Sequence, residues 1–268
     1  TKDSGYFVLG WLLSNPFYKI ALTRLDKYGN LLWSNNYLPV GDTVASSYYI
    51  ASTYDNGVIL TGEFAQNSQM LNNNPIGIVI KLDSAGNQVW AKSYPSLSTS
   101  STWGVKELSD SSIAINLMYT IGNSTIQALQ KIDRNGNIIW TKKFNFFINS
   151  ICDIDENSNK DIIIRGQALH LKMFDKNGND VWEKQYSNSS YYFNGWEIDV
   201  NKADAIVLIS DPFDSSGSCD GLYALKIDVN GNVQFSNKYS GAWNSSQTYA
   251  GGFTKDCGIV MNGRLIYS

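Results

Sequence analysis

Short apolar and polar runs alternate along this chain and return five times in one fixed order. An apolar run ends in aspartate, a Gly-Asn turn follows, and a second short run closes on an aromatic ring. The copies are Leu25-Asp26-Lys27-Tyr28-Gly29-Asn30 to Trp33, Leu82-Asp83-Ser84-Ala85-Gly86-Asn87 to Trp90, Ile132-Asp133-Arg134-Asn135-Gly136-Asn137 to Trp140, Phe174-Asp175-Lys176-Asn177-Gly178-Asn179 to Trp182, and Ile227-Asp228-Val229-Asn230-Gly231-Asn232 to Phe235. Alternation with a period of two is the signal of a strand, and Asp-x-x-Gly-Asn offers a tight turn whose glycine takes a positive φ. Each copy therefore predicts a β-hairpin.

A second set of turn signals lies upstream of each hairpin, at 1–5, 53–57, 109–112, 155–161, 201–204 and 254–258. Every repeat thus reads as four strands, A to D, with 44–51, 58–64, 77–82 and 88–94 as the clearest example and later repeats at 103–144, 148–186 and 196–239. The five turn aspartates are 57, 50, 42 and 53 residues apart. That period is too long for a solenoid coil and fits four strands per unit. The expected fold is all-β, a single β-propeller domain over 1–268 with four-stranded antiparallel blades, five of them.

The first repeat begins at an A–B turn, with 6–11 as B, 20–25 as C and 31–37 as D. Strand 247–253 is expected to enter as its missing innermost strand, so that N- and C-terminal strands close the ring without an unpaired edge. One segment is in excess: 259–266 repeats the role of 6–13 and makes a sixth B strand. Either it packs elsewhere, or the chain is a window on a propeller of six or more blades.

Composition sharpens the setting more than the chemistry. Hydrophobic residues make up 43% and charged residues 17%, with 16 Tyr and 8 Trp, as in strands joined by polar turns, and long helices are not expected. A net charge of -3 with scattered basic residues gives no footprint for nucleic acid. No apolar run approaches the roughly 20 residues of a membrane-spanning helix, and residues 1–20 lack the features of a signal peptide. Cys152, Cys219 and Cys257 form no close pair, so neither a disulfide framework nor a zinc motif is expected. With 219 in a B–C loop and 257 in an A–B turn, the two belong on opposite faces. Asn123, Asn188 and Asn244 open Asn-x-Ser/Thr acceptor patterns, which together with the polar, aromatic-rich loops suggest an extracellular or cell-surface protein.

Candidate chemistry is sparse. The residue two before each turn aspartate, one position ahead of the last apolar residue of strand C, is Arg24, Lys81, Lys131 or Lys226, with Met173 breaking the set. The expected arrangement has the alkyl stem between blades and the charge on the turn carboxylate or in solvent. His170, the sole histidine, reads as a strand residue, and no Gly-x-Ser-x-Gly motif accompanies it. Residues 153–161 alternate acids like the start of a calcium loop, but Ser158 stands where that loop needs glycine and Ile164 where it needs glutamate. Glu63, Glu107 and Glu197 could line a channel, yet nothing marks them as a glycosidase pair. No catalytic residue, metal or cofactor is assigned.

By its hairpins the chain resembles the β-propeller superfamily with Asp-x-x-Gly-Asn-x-x-Trp repeats, near the SBBP-type and quinoprotein-like propellers. The sialidase Asp-box has different spacing, since Gly86 and Trp90 stand three and seven positions after Asp83. The quinoprotein repeat carries a threonine that this one lacks and is one residue longer. The resemblance implies that Trp33, Trp90, Trp140, Trp182 and Phe235 are structural rings wedged between blades, burying about 150–250 Å² each.

What varies from repeat to repeat is the loop set at the D–A and B–C end. It is long at 66–76 and 211–221 and carries Phe146, Phe147, Phe193 and Tyr249 besides Tyr191, Tyr192, Trp196 and Trp243. Variable loops on a rigid scaffold are where recognition resides. Tyr191, Tyr192, Trp196 and Trp243 are the candidate ligand-binding residues, for a glycan or a protein partner at the cell surface. The function expected is non-enzymatic binding or structure. The alternatives are a propeller enzyme of the glycoside hydrolase or quinoprotein type and one domain of a repetitive surface assembly.

Overall fold

The computed structural model describes residues 1–14, 17–37, 44–65, 75–94, 100–122, 124–144, 153–166, 169–186, 192–213, 221–239, 245–254, 256 and 258–266. These residues form strands and turns, with no helix among them. Strands β1 (Tyr6–Ser14), β2 (Phe17–Leu25) and β3 (Leu31–Tyr37) make a three-stranded sheet. Four complete sheets follow in sequential order: β4 (Val44–Ser52), β5 (Val58–Ala65), β6 (Ile76–Leu82), β7 (Gln88–Ser93); β8 (Ser100–Glu107), β9 (Ile113–Ile121), β10 (Ser124–Ile132), β11 (Ile138–Phe144); β12 (Ile154–Glu156), β13 (Ile162–Arg165), β14 (His170–Phe174), β15 (Asp180–Gln185); and β16 (Tyr192–Val200), β17 (Ile206–Phe213), β18 (Leu222–Ile227), β19 (Val233–Tyr239). The last sheet has two strands, β20 (Ser245–Phe253) and β21 (Ile259–Ile266). All neighbouring strands are antiparallel. Strand 247–253 thus comes as the A strand of a hairpin with 259–266, which places the sixth B strand in a sheet begun by its own A strand.

The five C–D hairpins are built alike. The Asp26 amide donates to the Asn30 carbonyl at 2.9 Å and the Gly29 amide to the Asp26 carbonyl at 3.1 Å, and the same pair of bonds closes the turns at Asp83, Asp133, Asp175 and Asp228. The aspartate side chain completes the turn. In the second sheet Asp83 Oδ1 accepts the Ala85 and Asn87 amides at 2.9 and 2.8 Å, and Asp83 Oδ2 accepts Asn87 Nδ2 at 3.0 Å. The asparagine, through its side-chain amide and backbone N–H, holds the Asp83 carboxyl below its ordinary value. The turn glycine has φ between 76° and 85° in all five copies. Directly after each turn the D strand carries a β-bulge, at Lys81/Leu82 opposite Gln88 and Trp90 for example, and the extra residue there is Val89.

Burial departs from simple alternation in strands B and C. In the second sheet Val58, Leu60, Ile78, Ile80 and Leu82 pack toward Ile20 and Leu22 of the first sheet, while Ile59 and Val79 pack toward Val105, Ile113 and Ile115 of the third. Both faces of the sheet are covered, so these strands read as continuous apolar runs, each fully buried aliphatic contributing about 1.5–3 kcal/mol. By internal contacts the chain divides into two compact units, Thr1–Asn145 and Phe146–Ser268. The second unit has its own cluster, centred on Ile163, Leu171, Ile206, Leu208 and Leu225.

Strand A carries an inserted residue in four sheets. The register slips by one at Ser47/Tyr49 in β4, Thr102/Val105 in β8, Gly195/Glu197 in β16 and Thr248/Ala250 in β20. An aromatic residue falls at each slip: Tyr48, Trp103, Trp196 and Tyr249. A bulge bends its strand and alters the aim of a side chain, so the repeated insertion is a feature of the blade.

Candidate functional site

Within each unit a D strand grips the C–D turn of the next sheet. Trp33 Nε1 donates to the Ser84 carbonyl at 3.0 Å, and the Tyr37 hydroxyl donates to the Gly86 carbonyl at 2.7 Å. Trp90 and Tyr94 do the same to Arg134 and Gly136, and Trp182 and Tyr186 to Val229 and Gly231. Burial raises the Tyr94 and Tyr186 phenols above their ordinary value, with the adjacent turn aspartate as a second cause. Trp33, Trp90 and Trp182 do pack against the core of the neighbouring sheet, but these rings, like Trp140 and Phe235, are half-buried rather than enclosed. D is an outer strand with no sheet neighbour beyond it, which leaves one side of each ring in water.

The strand C cations reach the A–B turn of their own sheet, not the C–D turn aspartate. Arg24, 2% exposed, places Nη2 at 2.6 Å from both oxygens of Asp3 and Nη1 at 3.0 Å from Thr1 Oγ1. Lys81 Nζ meets Thr53 Oγ1 at 2.5 Å and Asp55 Oδ1 at 2.8 Å, and Lys131 Nζ meets Asp110 Oδ2 at 2.9 Å. Lys226 is different, lying 5.7 Å from the centre of the Phe253 ring. The cause is visible in the turns. The third turn residue is Asp3, Asp55 or Asp110 where the cation pairs, Asn159 where strand C has Met173, and Ala203 in the sheet of Lys226. Where the cation is buried its acid is present, and where the acid is missing the position is either apolar, Met173, or a half-buried Lys226 turned to a ring, as burying an unpaired charge is costly.

At this same end, between the second and third sheets, lies a cleft of about 500 Å³ lined by Tyr54, Asp55, Lys81, Glu107 and Arg134 among others. Glu107 ends strand β8 and accepts the Tyr54 amide on Oε2. Burial pushes its carboxyl up, and neighbouring Asp55 adds to the rise against Tyr54 N–H and Lys81. Burial also works to raise Asp55, but Lys81, the Thr53 hydroxyl and the Gly57 amide outweigh it and bring the carboxyl down to about 2. Two acids of opposite shift in one cleft resemble an acid–base pair. The Asp55–Lys81 half of the arrangement, however, recurs as Asp3–Arg24 and Asp110–Lys131, which makes it scaffold. Glu107 has a counterpart in register in Glu156, the last residue of β12, but here it stands beside an Asp–Lys pair.

The remaining candidates are placed as follows. Tyr191 and Trp243 lie outside the described residues, and Tyr192 and Trp196 are placed as backbone in β16, opposite Phe213 and at the bulge between Gly195 and Glu197. Asn123, Asn188, Asn244, Cys152, Cys219, Cys257, Phe146 and Phe147 also lie outside. Phe193, Tyr249 and Glu197 are backbone positions in their strands, and Glu63 is buried in β5. His170 Nε2 stands 2.9 Å from Glu183 Oε1, in a cross-strand group with Lys172. The acids of 153–161 have structural partners: Asp153 Oδ2 accepts the Ile198 amide at 2.9 Å, Asp155 Oδ2 the Val200 amide at 2.8 Å, and Asp161 Oδ2 accepts Asn157 Nδ2 at 3.0 Å. Sequence reasoning named Glu107 without a reason to prefer it, because the cleft depends on two blades meeting.

No family model matches the chain, and no curated protein is similar to it in sequence. Its likeness is to solved structures. A gluconolactonase from Xanthomonas campestris is similar with a TM-score of 0.56 and 7% identity over 97% of this chain and 84% of that one. The β-propeller domain of Cps50 (Swd1) from Myceliophteria thermophila gives 0.56 and 10% over 95% and 81%. The β-propeller domain of the trilobed protease from Pyrococcus furiosus gives 0.53 and 10% over 98% and 74%. At such identities the likeness shows fold alone. The chain is an all-β protein of the β-propeller fold, with four-stranded antiparallel blades.

Proposed function

We propose that this propeller is a non-enzymatic binding or structural module acting outside the cell or at its surface, recognising glycan or protein through the face of its D–A and B–C loops. The observation that carries the reading is the division of labour between the two ends of the blades. At the A–B and C–D end the polar side chains repeat the same internal bonds from sheet to sheet, as in the five Asp–Asn turns and the three cation–carboxylate pairs. The D–A and B–C connections differ from one another in length along the sequence, and Tyr191, Tyr192, Trp196 and Trp243 fall in or next to D–A connections by their sequence position. Aromatics beside Asn and Ser offer apolar platforms with hydrogen-bonding neighbours, suited to sugar rings or a protein surface.

The test is binding to a glycan panel and to cell-surface extracts, before and after replacing those four residues by Ala, with circular dichroism to confirm the fold. Loss of at least tenfold in affinity is expected, and unchanged binding to every ligand found would remove this face from consideration. The competing reading is a propeller hydrolase, favoured by the opposite shifts of Asp55 and Glu107 in one cleft. Glycosidase and lactonase substrates assayed with the protein and with Glu107→Gln separate the two, since only the hydrolase reading expects activity that the substitution abolishes.

A further inference from the structure

The cleft between the second and third sheets holds two opposite charges that the scaffold does not use. Of its lining, Asp55 and Lys81 neutralise one another, as the matching pairs do in the first and third sheets. Glu107 and Arg134 remain. Glu107 Oε2 accepts the Tyr54 amide, and Oε1 takes no hydrogen bond among the described residues. The Arg134 carbonyl accepts Trp90 Nε1, while its exposed guanidinium has neither an ion pair nor a hydrogen bond among the described residues. A further cation nearby, Lys2, is turned to the Tyr54 ring, with Nζ 4.7 Å from the ring centre.

The two positions vary together along the chain. Glu107 is the last residue of its strand A, opposite the first residue of strand B, and Arg134 directly follows the C–D turn aspartate. In the four complete sheets these places hold Ser52 with Ser84, Glu107 with Arg134, Glu156 with Lys176, and Val200 with Val229. An acid at one place comes with a base at the other, and serine or valine comes with its like. The strand end and the turn form equally well with any of these, so the charges answer to something other than the hairpins.

The ladder sets the span of the groove. Glu107 lies opposite Ile113, and Ile113 opposite Ile132. That is two strand spacings, about 10 Å across the sheet, with Arg134 two residues farther on in the turn. The acid therefore marks the strand A end of the cleft and the guanidinium the strand D end. The cleft between them is lined by Ile113, by Val89, which is 58% exposed, and by Tyr54, which is 46% exposed. Its volume of about 500 Å³ is that of a small-ligand site.

We propose that this cleft binds short peptides with free ends, two or three residues long, the terminal ammonium on Glu107 and the terminal carboxylate on Arg134. Two or three extended residues span about 7–10 Å, which matches the groove. The ammonium donates to Oε1 and stabilises the charged form of a carboxyl that burial disfavours. The guanidinium meets the carboxylate with two parallel N–H donors. Apolar side chains of the peptide lie on Val89 and the Tyr54 ring. A neutral sugar offers neither charge, and a single amino acid carries both but is too short to reach the two ends at once. The seat lies at the A–B and C–D end of the blades, so it is independent of recognition through the D–A and B–C loops.

Calorimetric titration of the full chain with Ala-Leu and Ala-Ala-Leu is expected to give saturable one-to-one binding. Acetylating the amino terminus or amidating the carboxyl terminus should each weaken it at least tenfold, and free leucine and maltose should bind no better than the blocked peptides. Glu107→Gln keeps an oxygen for the Tyr54 amide and should bind free and acetylated peptide alike. Arg134→Gln should bind free and amidated peptide alike, with circular dichroism confirming the fold of both variants. Absence of saturable binding by both peptides, or blocked peptides bound as tightly as free ones, would overturn the proposal. So would glycosidase or lactonase turnover that Glu107→Gln abolishes in a protein that ignores the peptides, since the cleft would then serve that chemistry. The glycan and extract assays of the loop face stand or fall separately from either result.

Discussion

The Tyr186 hydroxyl donates to the carbonyl of Gly231 at 2.8 Å, forty-five residues along the chain and one sheet away. A Cβ built on Gly231 would stand 2.8 Å from that same hydroxyl oxygen, and φ there is +76°. One glycine therefore answers two demands, a left-handed turn and the close approach of the preceding blade.

Gly231→Ala is expected to destabilise the protein by about 2–4 kcal/mol, combining backbone strain with crowding against Tyr186 and Lys184. Gly29 has φ +84° and nothing near its absent Cβ, so Gly29→Ala isolates the strain and should cost about 1 kcal/mol. Urea unfolding of both variants measures the difference; equal losses would mean that the grip on the turn adds nothing.

Tyr94→Phe removes the hydroxyl held by the Gly136 carbonyl and leaves the ring. A loss of about 1–2 kcal/mol is expected, the cost of one buried hydrogen bond. The third sheet carries Phe144 at this position, so its packing accepts the missing hydroxyl. A loss above about 4 kcal/mol in thermal or urea unfolding would point to a larger role than this contact.

Met173→Lys places an ammonium at a position 1% exposed, in the sheet whose A–B turn offers Asn159 in place of an aspartate. We expect a loss of about 3 kcal/mol. Adding Asn159→Asp should recover at least half of it, and a double-mutant cycle reads the coupling directly. Additive effects would refute the reading of cation and acid as one unit.

Acid should weaken the scaffold over a defined window. Asp55 and Asp110 have carboxyls that burial would raise; for Asp55 the Lys81 and Thr53 contacts, and for Asp110 those of Ser112 and Lys131, outweigh it and hold each at about 2, against an ordinary 3.8. Because the folded value lies below the unfolded one, their contribution is complete above about pH 4 and lost as pH falls toward 2. Glu107 has the opposite sign, its folded carboxyl being raised, so its protonation on acidification stabilises. Urea midpoints from pH 6 to pH 2 should fall less steeply below pH 4 in an Asp55→Asn, Asp110→Asn protein than in the parent. An unchanged slope would show that these pairs carry no pH-linked stability.

The sequence determined the hairpins, because everything an Asp-x-x-Gly-Asn turn needs lies within five residues: the aspartate that caps two amides, the asparagine that holds the carboxylate, and the glycine whose φ the turn requires. The four-strand period followed from their spacing. It also held, unread, the pairing of strand C cations with A–B turn acids, since Asn159 accompanies Met173 and Ala203 accompanies the displaced Lys226. Only the tertiary structure decided where those charges meet, because residues more than twenty positions apart are brought together by one strand crossing. It also decided that the D strand rings stay half-buried and that Glu107 enters a cleft with Asp55 and Lys81. It paired β21, among the described residues, with its own A strand β20. Each of these rests on which sheet faces lie against one another, and a pattern with a period of two says which side of a strand is apolar without saying what will cover it.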